Sequence, residues 1–306
     1  MNTQLVNMLH LTWEPVGVFF GNTTAACEFT PSPDKRNCVL PLLMSASRGK
    51  IIGMDEAGCT CPGGAVGVCF GDGYTRGNPN IHRLLSQGMG AHVPEGLPEK
   101  TKEMMREGER FFCDEEVGLR WKESTPFSDR AYPRIVFAPL HRWEEVGTPD
   151  LVYLFANPDQ ISALVTMLGF HNGKRINTLA PFGAACQSIL YAAGQLDQEE
   201  PCAIMGLFDI SQRRAALKDC LSLTLPYRLW ENLHKDLDKT QLAGDRETPV
   251  SVPSPADLIH KRPPETQTVR ANPLRTDGLC FVKQFSTPLW KAYAFFAWGT
   301  ENRLTE

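Results

Sequence analysis

The sequence has no run of eighteen apolar residues, so no hydrophobic membrane-spanning helix is expected. It has no surplus of positive charge either. Lys and Arg total 31 against 35 Asp and Glu, a net charge of −4, which argues against nucleic acid or an anionic membrane surface as partner. The opening Met-Asn-Thr-Gln-Leu-Val-Asn lacks the basic start and clean apolar core of a signal peptide, and the expected compartment is the cytoplasm. No Walker loop and no dinucleotide fingerprint is present. Histidine is scarce, and His82 and His92 stand ten apart, not at the three or four that put two imidazoles on one helical face. With 306 residues, 42 % hydrophobic and 22 % charged, the chain has an ordinary globular composition, enough for one large domain or two small ones.

Against these absences stand ten cysteines. In a chain of this type they favour free thiols or metal ligands over a disulfide framework. Residues 55–71 concentrate Cys59, Cys61 and Cys69 among five glycines. Gly63 and Gly64 let the main chain approach a ligand closely, and Pro62 suits a loop turning into a helix. A thiol at a helix start feels the positive end of the dipole and loses its proton more readily. That is the chemistry of a metal ligand or of a reactive thiolate; the plainer alternative is a buried glycine turn with inert cysteines. Cys38 falls at the start of a helix expected over 37–49, which makes it a third candidate ligand beside Cys59 and Cys61. Cys27 has no second ligand at metal spacing and reads as a spare thiol.

Strands are expected near 16–20, 50–54, 134–140, 150–156 and 202–208. Helices are expected near 37–49, 157–168, 179–194, 209–219 and 224–237. This alternation implies an α/β fold with a mixed, mostly parallel sheet flanked by helices. Residues 72–132 read as loop and solvated helix, able to cover the cysteine site as a lid. Asn157, Pro158, Asp159 and Gln160 open a helix at the end of an apolar strand. Their polar groups face a binding crevice or simply cap the helix. The α/β domain is expected over 1–243, a Pro-rich linker over 244–285, and an aromatic helix or tail over 286–306.

Taken together, Pro15-Val16-Gly17-Val18, the Cys38 helix and Cys61-Pro-Gly-Gly-Ala65 begin a recognisable order of motifs. Ala138-Pro-Leu140, Asp150-Leu-Val, Asn157-Pro-Asp-Gln160, Cys186, Gly206 through Arg213 and Leu225-Pro226 continue it. Over roughly residues 5–240 this order resembles the uncharacterised family known as domain of unknown function 169 (DUF169). The resemblance implies one cysteine in each of four blocks, suiting a tetrahedral metal or an iron–sulfur cluster. Three blocks match as Cys38, Cys61 and Cys186. Leu207 stands in place of the fourth, with Cys59 as a substitute ligand, or with three sulfurs and an open position. Arg213 is then a candidate clamp for a small anion, or a surface salt-bridge partner. The leading expectation is a cysteine-ligated metal or iron–sulfur protein with a redox or sensing role and an electron-transfer partner. The alternatives are a cysteine-dependent enzyme acting on a small anionic substrate, with Cys61 as nucleophile and His141 or His171 as base, and a non-catalytic small-molecule binding module.

Overall fold

The computed structural model describes residues 4–243, apart from 22–24, 94, 97–98, 127–131, 211–212 and 214–216. The linker expected over 244–285 and the tail expected over 286–306 lie outside the described residues. Seven described strands form one sheet. In chain order they are β1 (Val16–Phe20), β2 (Ile52–Asp55), β3 (Arg134–Pro139), β4 (Leu151–Ala156), β5 (Thr178–Leu179), β6 (Ala203–Gly206) and β7 (Leu221–Pro226), and in space β2-β3-β1-β4-β7-β6-β5.

The sheet is mixed and flanked by helices, as the alternation of elements implied. The balance of directions differs from the expectation of mostly parallel neighbours. Only β5 and β6 pair in parallel, and every other neighbouring pair is antiparallel. The physical reason lies in the crossovers. β1 and β2 run the same way but flank β3, β3 and β4 flank β1, and β4 and β6 flank β7. The crossovers from β1 to β2 and from β3 to β4 each skip one place, filled by β3 and β1, and the one from β4 to β5 skips two, filled by β7 and β6. β7 is one of these fillers. Sequence reading began a helix at Thr224, inside β7, yet the alternating Leu-Ser-Leu-Thr-Leu is a strand, and helix α10 (Tyr227–Leu233) begins only after Pro226.

The central strand is apolar on both faces. Leu151, Tyr153 and Phe155 of β4 pack into one core, and Val152, Leu154 and Ala156 into the other. The first core is covered by α2 (Val39–Ser47), α3 (Pro62–Gly67) and α9 (Gln187–Ala193). The second is covered by α1 (Gln4–Met8), α8 (Pro158–Leu168) and α10. Residues 73–123, where loop and solvated helix were expected, carry four short helices: α4 (Gly73–Gly77), α5 (Ile81–Leu85), α6 (Glu99–Glu107) and α7 (Glu115–Glu123). No helix among the described residues is long and apolar enough to cross a membrane.

Candidate thiol site

Three of the helices on the first face are led by a cysteine. Cys38 is the N-cap of α2, Cys61 of α3 and Cys186 of α9. Pro62 occupies the first position of α3, where its missing N–H costs nothing, so the chain turns into helix at once after Cys61. The helix places the Gly64 N–H on Cys61 Sγ at 3.4 Å. The carbonyl of Gly63 accepts from Cys186 Sγ at 3.6 Å, and that of Cys61 from Cys59 Sγ at 3.9 Å. The glycine turn is thus the hub on which the Cys59 and Cys186 thiols rest.

Close packing enforces the assembly. A Cβ on Gly67 would stand 2.7 Å from the backbone carbon and Cβ of Cys186 and 2.8 Å from its Sγ, so only glycine lets α3 approach α9 here. A Cβ on Gly64 would meet Cys61 Cβ at 3.2 Å and Cys59 Sγ at 3.3 Å. The loops carrying Cys38 and Cys59 are tied together from outside. The Asn37 N–H donates to Thr60 Oγ1 at 2.9 Å, Thr60 Oγ1 to the Lys35 carbonyl at 3.0 Å, and Asn37 Nδ2 to the Gly58 carbonyl.

Cys59 and Cys186 are 7 % and 5 % exposed, while Cys38 and Cys61 keep partial access to solvent. Burial, reinforced by the neighbouring Cys61, pushes the thiols of Cys38 and Cys59 up to about 12. Burial also raises Cys61, against the pull of the Gly64 and Gly63 N–H groups. Cys186 is raised well above the ordinary range by burial and then by Cys61, Cys38 and Cys59. All four thiols therefore lie within electrostatic reach of one another, and without a cation they remain neutral S–H groups at pH 7. As they lie, no three His, Cys, Asp or Glu side chains among the described residues stand in geometry to hold a metal ion. Cys59 and Cys186 are instead turned to carbonyls, as protonated thiols would be. A rotamer change swings a cysteine sulfur by about 3 Å, enough to redirect it.

The remaining candidates separate from this group. Asn157 and Gln160 form a reciprocal capping box at 2.9 Å, and Gln160 Nε2 also donates to the carbonyls of Leu9 and His10. They belong with α8 on the opposite face of the sheet, where Asp159 lies in the first turn of the helix. Arg213 spends its fork on main-chain carbonyls, with Nε to Cys220 and Nη2 to Lys218, both at 2.9 Å. Cys27 Sγ, the spare thiol, accepts from Arg134 Nη2 at 3.0 Å. Leu207 is fully buried in the same core as Cys59 and Cys186, at a φ of 64° that a bulky side chain seldom adopts. His141 pairs with Glu14, and His171 lies edge-on to Phe170.

Sequence reading missed the residues that frame the thiols. Tyr74 of α4 is buried against Gly63 and hydrogen-bonds Gln187, the residue after Cys186. Trp121 of α7 donates to the Phe182 carbonyl at 3.3 Å. Residues 73–123 thus reach the loop leading into Cys186. No spacing signal marks the Tyr74–Gln187 and Trp121–Phe182 contacts, which join residues more than sixty positions apart.

A family model described as an uncharacterised ArCR family, DUF169, matches residues 4–236. No curated protein and no solved structure matches the chain.

Proposed function

The chain belongs to the DUF169 family, and we propose that it is a cytoplasmic protein whose Cys38, Cys59, Cys61 and Cys186 hold an iron–sulfur cluster with a redox or sensing role. The observation that carries this reading is the convergence of four thiols from three separate helix starts, each within electrostatic reach of the others. Amide donors at Gly63 and Gly64 are of the kind that stabilise thiolate sulfur. A single zinc ion would need all four sulfurs at about 2.3 Å from one point. As they lie, no three of the four meet that requirement. An iron–sulfur cluster would supply one-electron chemistry; the protein's part is to hold four thiolates, lend N–H groups and limit water. An electron-transfer partner would approach where Cys38 and Cys61 retain exposure.

The geometry favours this over a cysteine nucleophile. An attacking thiol needs a lowered pKa and an adjacent base, whereas Cys61 is raised and both histidines named as bases have other neighbours. The nine cysteines among the described residues are all free thiols, in keeping with a reducing compartment. The test is alkylation with mass-spectrometric readout, before and after anaerobic treatment with ferrous iron and sulfide. Joint protection of Cys38, Cys59, Cys61 and Cys186 supports the proposal. Rapid labelling of Cys61 alone, unaffected by iron, turns the case toward a nucleophile.

A further inference from the structure

On the face of the sheet away from the thiols, the end of α8 packs against α10 and leaves a recess of about 50 Å3 between them. Met167, Leu168 and Leu233 form its buried floor, Leu229 is half-buried beside them, and His171 and Asn232 stand exposed at the rim.

Apolar surface continues next to the recess. Phe170 is 45 % exposed, its ring edge-on to that of His171 at 5.0 Å. Further along the chain, Ile176 is 67 % exposed and Leu179 of β5 is 40 % exposed. Of the five large hydrophobic side chains exposed among the described residues, three therefore fall within residues 170–179. A single exposed apolar side chain is ordinary, but several beside an apolar recess mark a docking surface.

The chain itself carries a suitable occupant. After α10 it runs through two short 3-10 turns, Leu237–Lys239 and Gln241–Ala243, whose Leu237 and Leu242 pack into the same second core. The described chain thus departs at Ala243 from the layer that contains the recess. Residues 290–298, Trp-Lys-Ala-Tyr-Ala-Phe-Phe-Ala-Trp, hold five aromatic side chains and a single charge. About 46 residues separate them from Ala243. A coil of that length spans on the order of 35 Å, so the segment reaches the recess without strain. Each aromatic side chain has roughly 150–250 Å2 to bury, and Trp and Tyr, apolar with a polar tip, suit a leucine floor with a polar rim.

We infer that residues 290–298 dock on the same chain, in the groove between α8 and α10 and over the adjoining Phe170. This dock lies on the opposite face of the sheet from Cys61, and it stands whether or not the thiols hold a cluster.

The experiment is hydrogen exchange with mass-spectrometric readout on the full-length protein. Wild type is compared with a Trp290→Ser, Phe296→Ser, Trp298→Ser variant, whose substitutions leave both cores of the sheet untouched. Light scattering over a range of concentrations accompanies it. Peptides covering 164–176 and 227–236 are expected to exchange about threefold faster or more in the variant, the loss of a dock filled at least about two thirds of the time. Peptides from α2, α3 and α9 keep their rates, and the molar mass is the same for both proteins at every concentration. Unchanged exchange in 164–176 and 227–236 overturns the proposed dock. So does protection that grows with protein concentration together with molar mass, which assigns the groove to a second copy of the chain.

Discussion

Replacing Gly67 with alanine tests whether close packing builds the thiol assembly. The new methyl would stand 2.7 Å from the backbone carbon and Cβ of Cys186, distances no real Cβ tolerates, and the backbone atom cannot rotate away. Alanine gains about 0.5–1 kcal/mol of helix propensity over glycine, but overpacking a filled core costs typically about 1–3 kcal/mol. The clash wins. At about 2–4 °C per kcal/mol for a domain of this size, the melting temperature falls by several degrees. Because the strain is relieved by moving α9 away from α3, Cys186 leaves its place and iron content falls as well. Gly64→Ala is the control. Its methyl meets Cys61 Cβ, Val39 Cγ2 and Cys59 Sγ at 3.2–3.3 Å, contacts that side chains can yield to. Thermal melts and iron analysis on both variants give the answer. Equal stability and equal iron in Gly67→Ala and wild type would refute the reasoning.

Two further outcomes follow from the same structure. Asn157→Ala removes one half of the capping box on α8 and lowers stability by about 1 kcal/mol in denaturant titration, with iron content unchanged; loss of iron would place Asn157 in the site after all. In metal-free protein, the folded state keeps the Cys38 and Cys59 protons up to about 12, whereas unfolded thiols lose them near 9. The folded state therefore binds more protons over that window, and stability declines as pH rises from about 9 toward about 12. Melts across that range, compared with a Cys38→Ala, Cys59→Ala double variant, isolate the effect; the same slope in both proteins contradicts it.

Much of the fold was legible because local signals were strong. β1, β3 and β4 announce themselves as apolar runs, and the Asn157-Pro-Asp-Gln160 start of α8 carries its own capping chemistry. Strand direction was not legible, because nothing local says that a crossover skips places and leaves room for β7. β7 itself was hidden by its two hydroxyl residues and by the helix that follows Pro226. At the site, Cys38, Cys61 and Gly64 were readable as a helix start, another helix start and a flexible turn. The part played by Cys186 rested on family resemblance, since 125 positions separate it from Cys61. Arg213 and Asn157 were read as ligand-binding because their chemistry permits it, but their hydrogen bonds are spent on local backbone.

The central claim, that four thiols hold an iron–sulfur cluster, is tested most directly by quantifying iron and acid-labile sulfide in protein purified without oxygen, alongside Cys61→Ser. The account predicts iron with matching sulfide in the wild type and their loss in the variant, which keeps an N-cap acceptor on α3 but lacks the Cys61 thiolate. Absence of both from the wild type, or equal amounts in the two proteins, would contradict it.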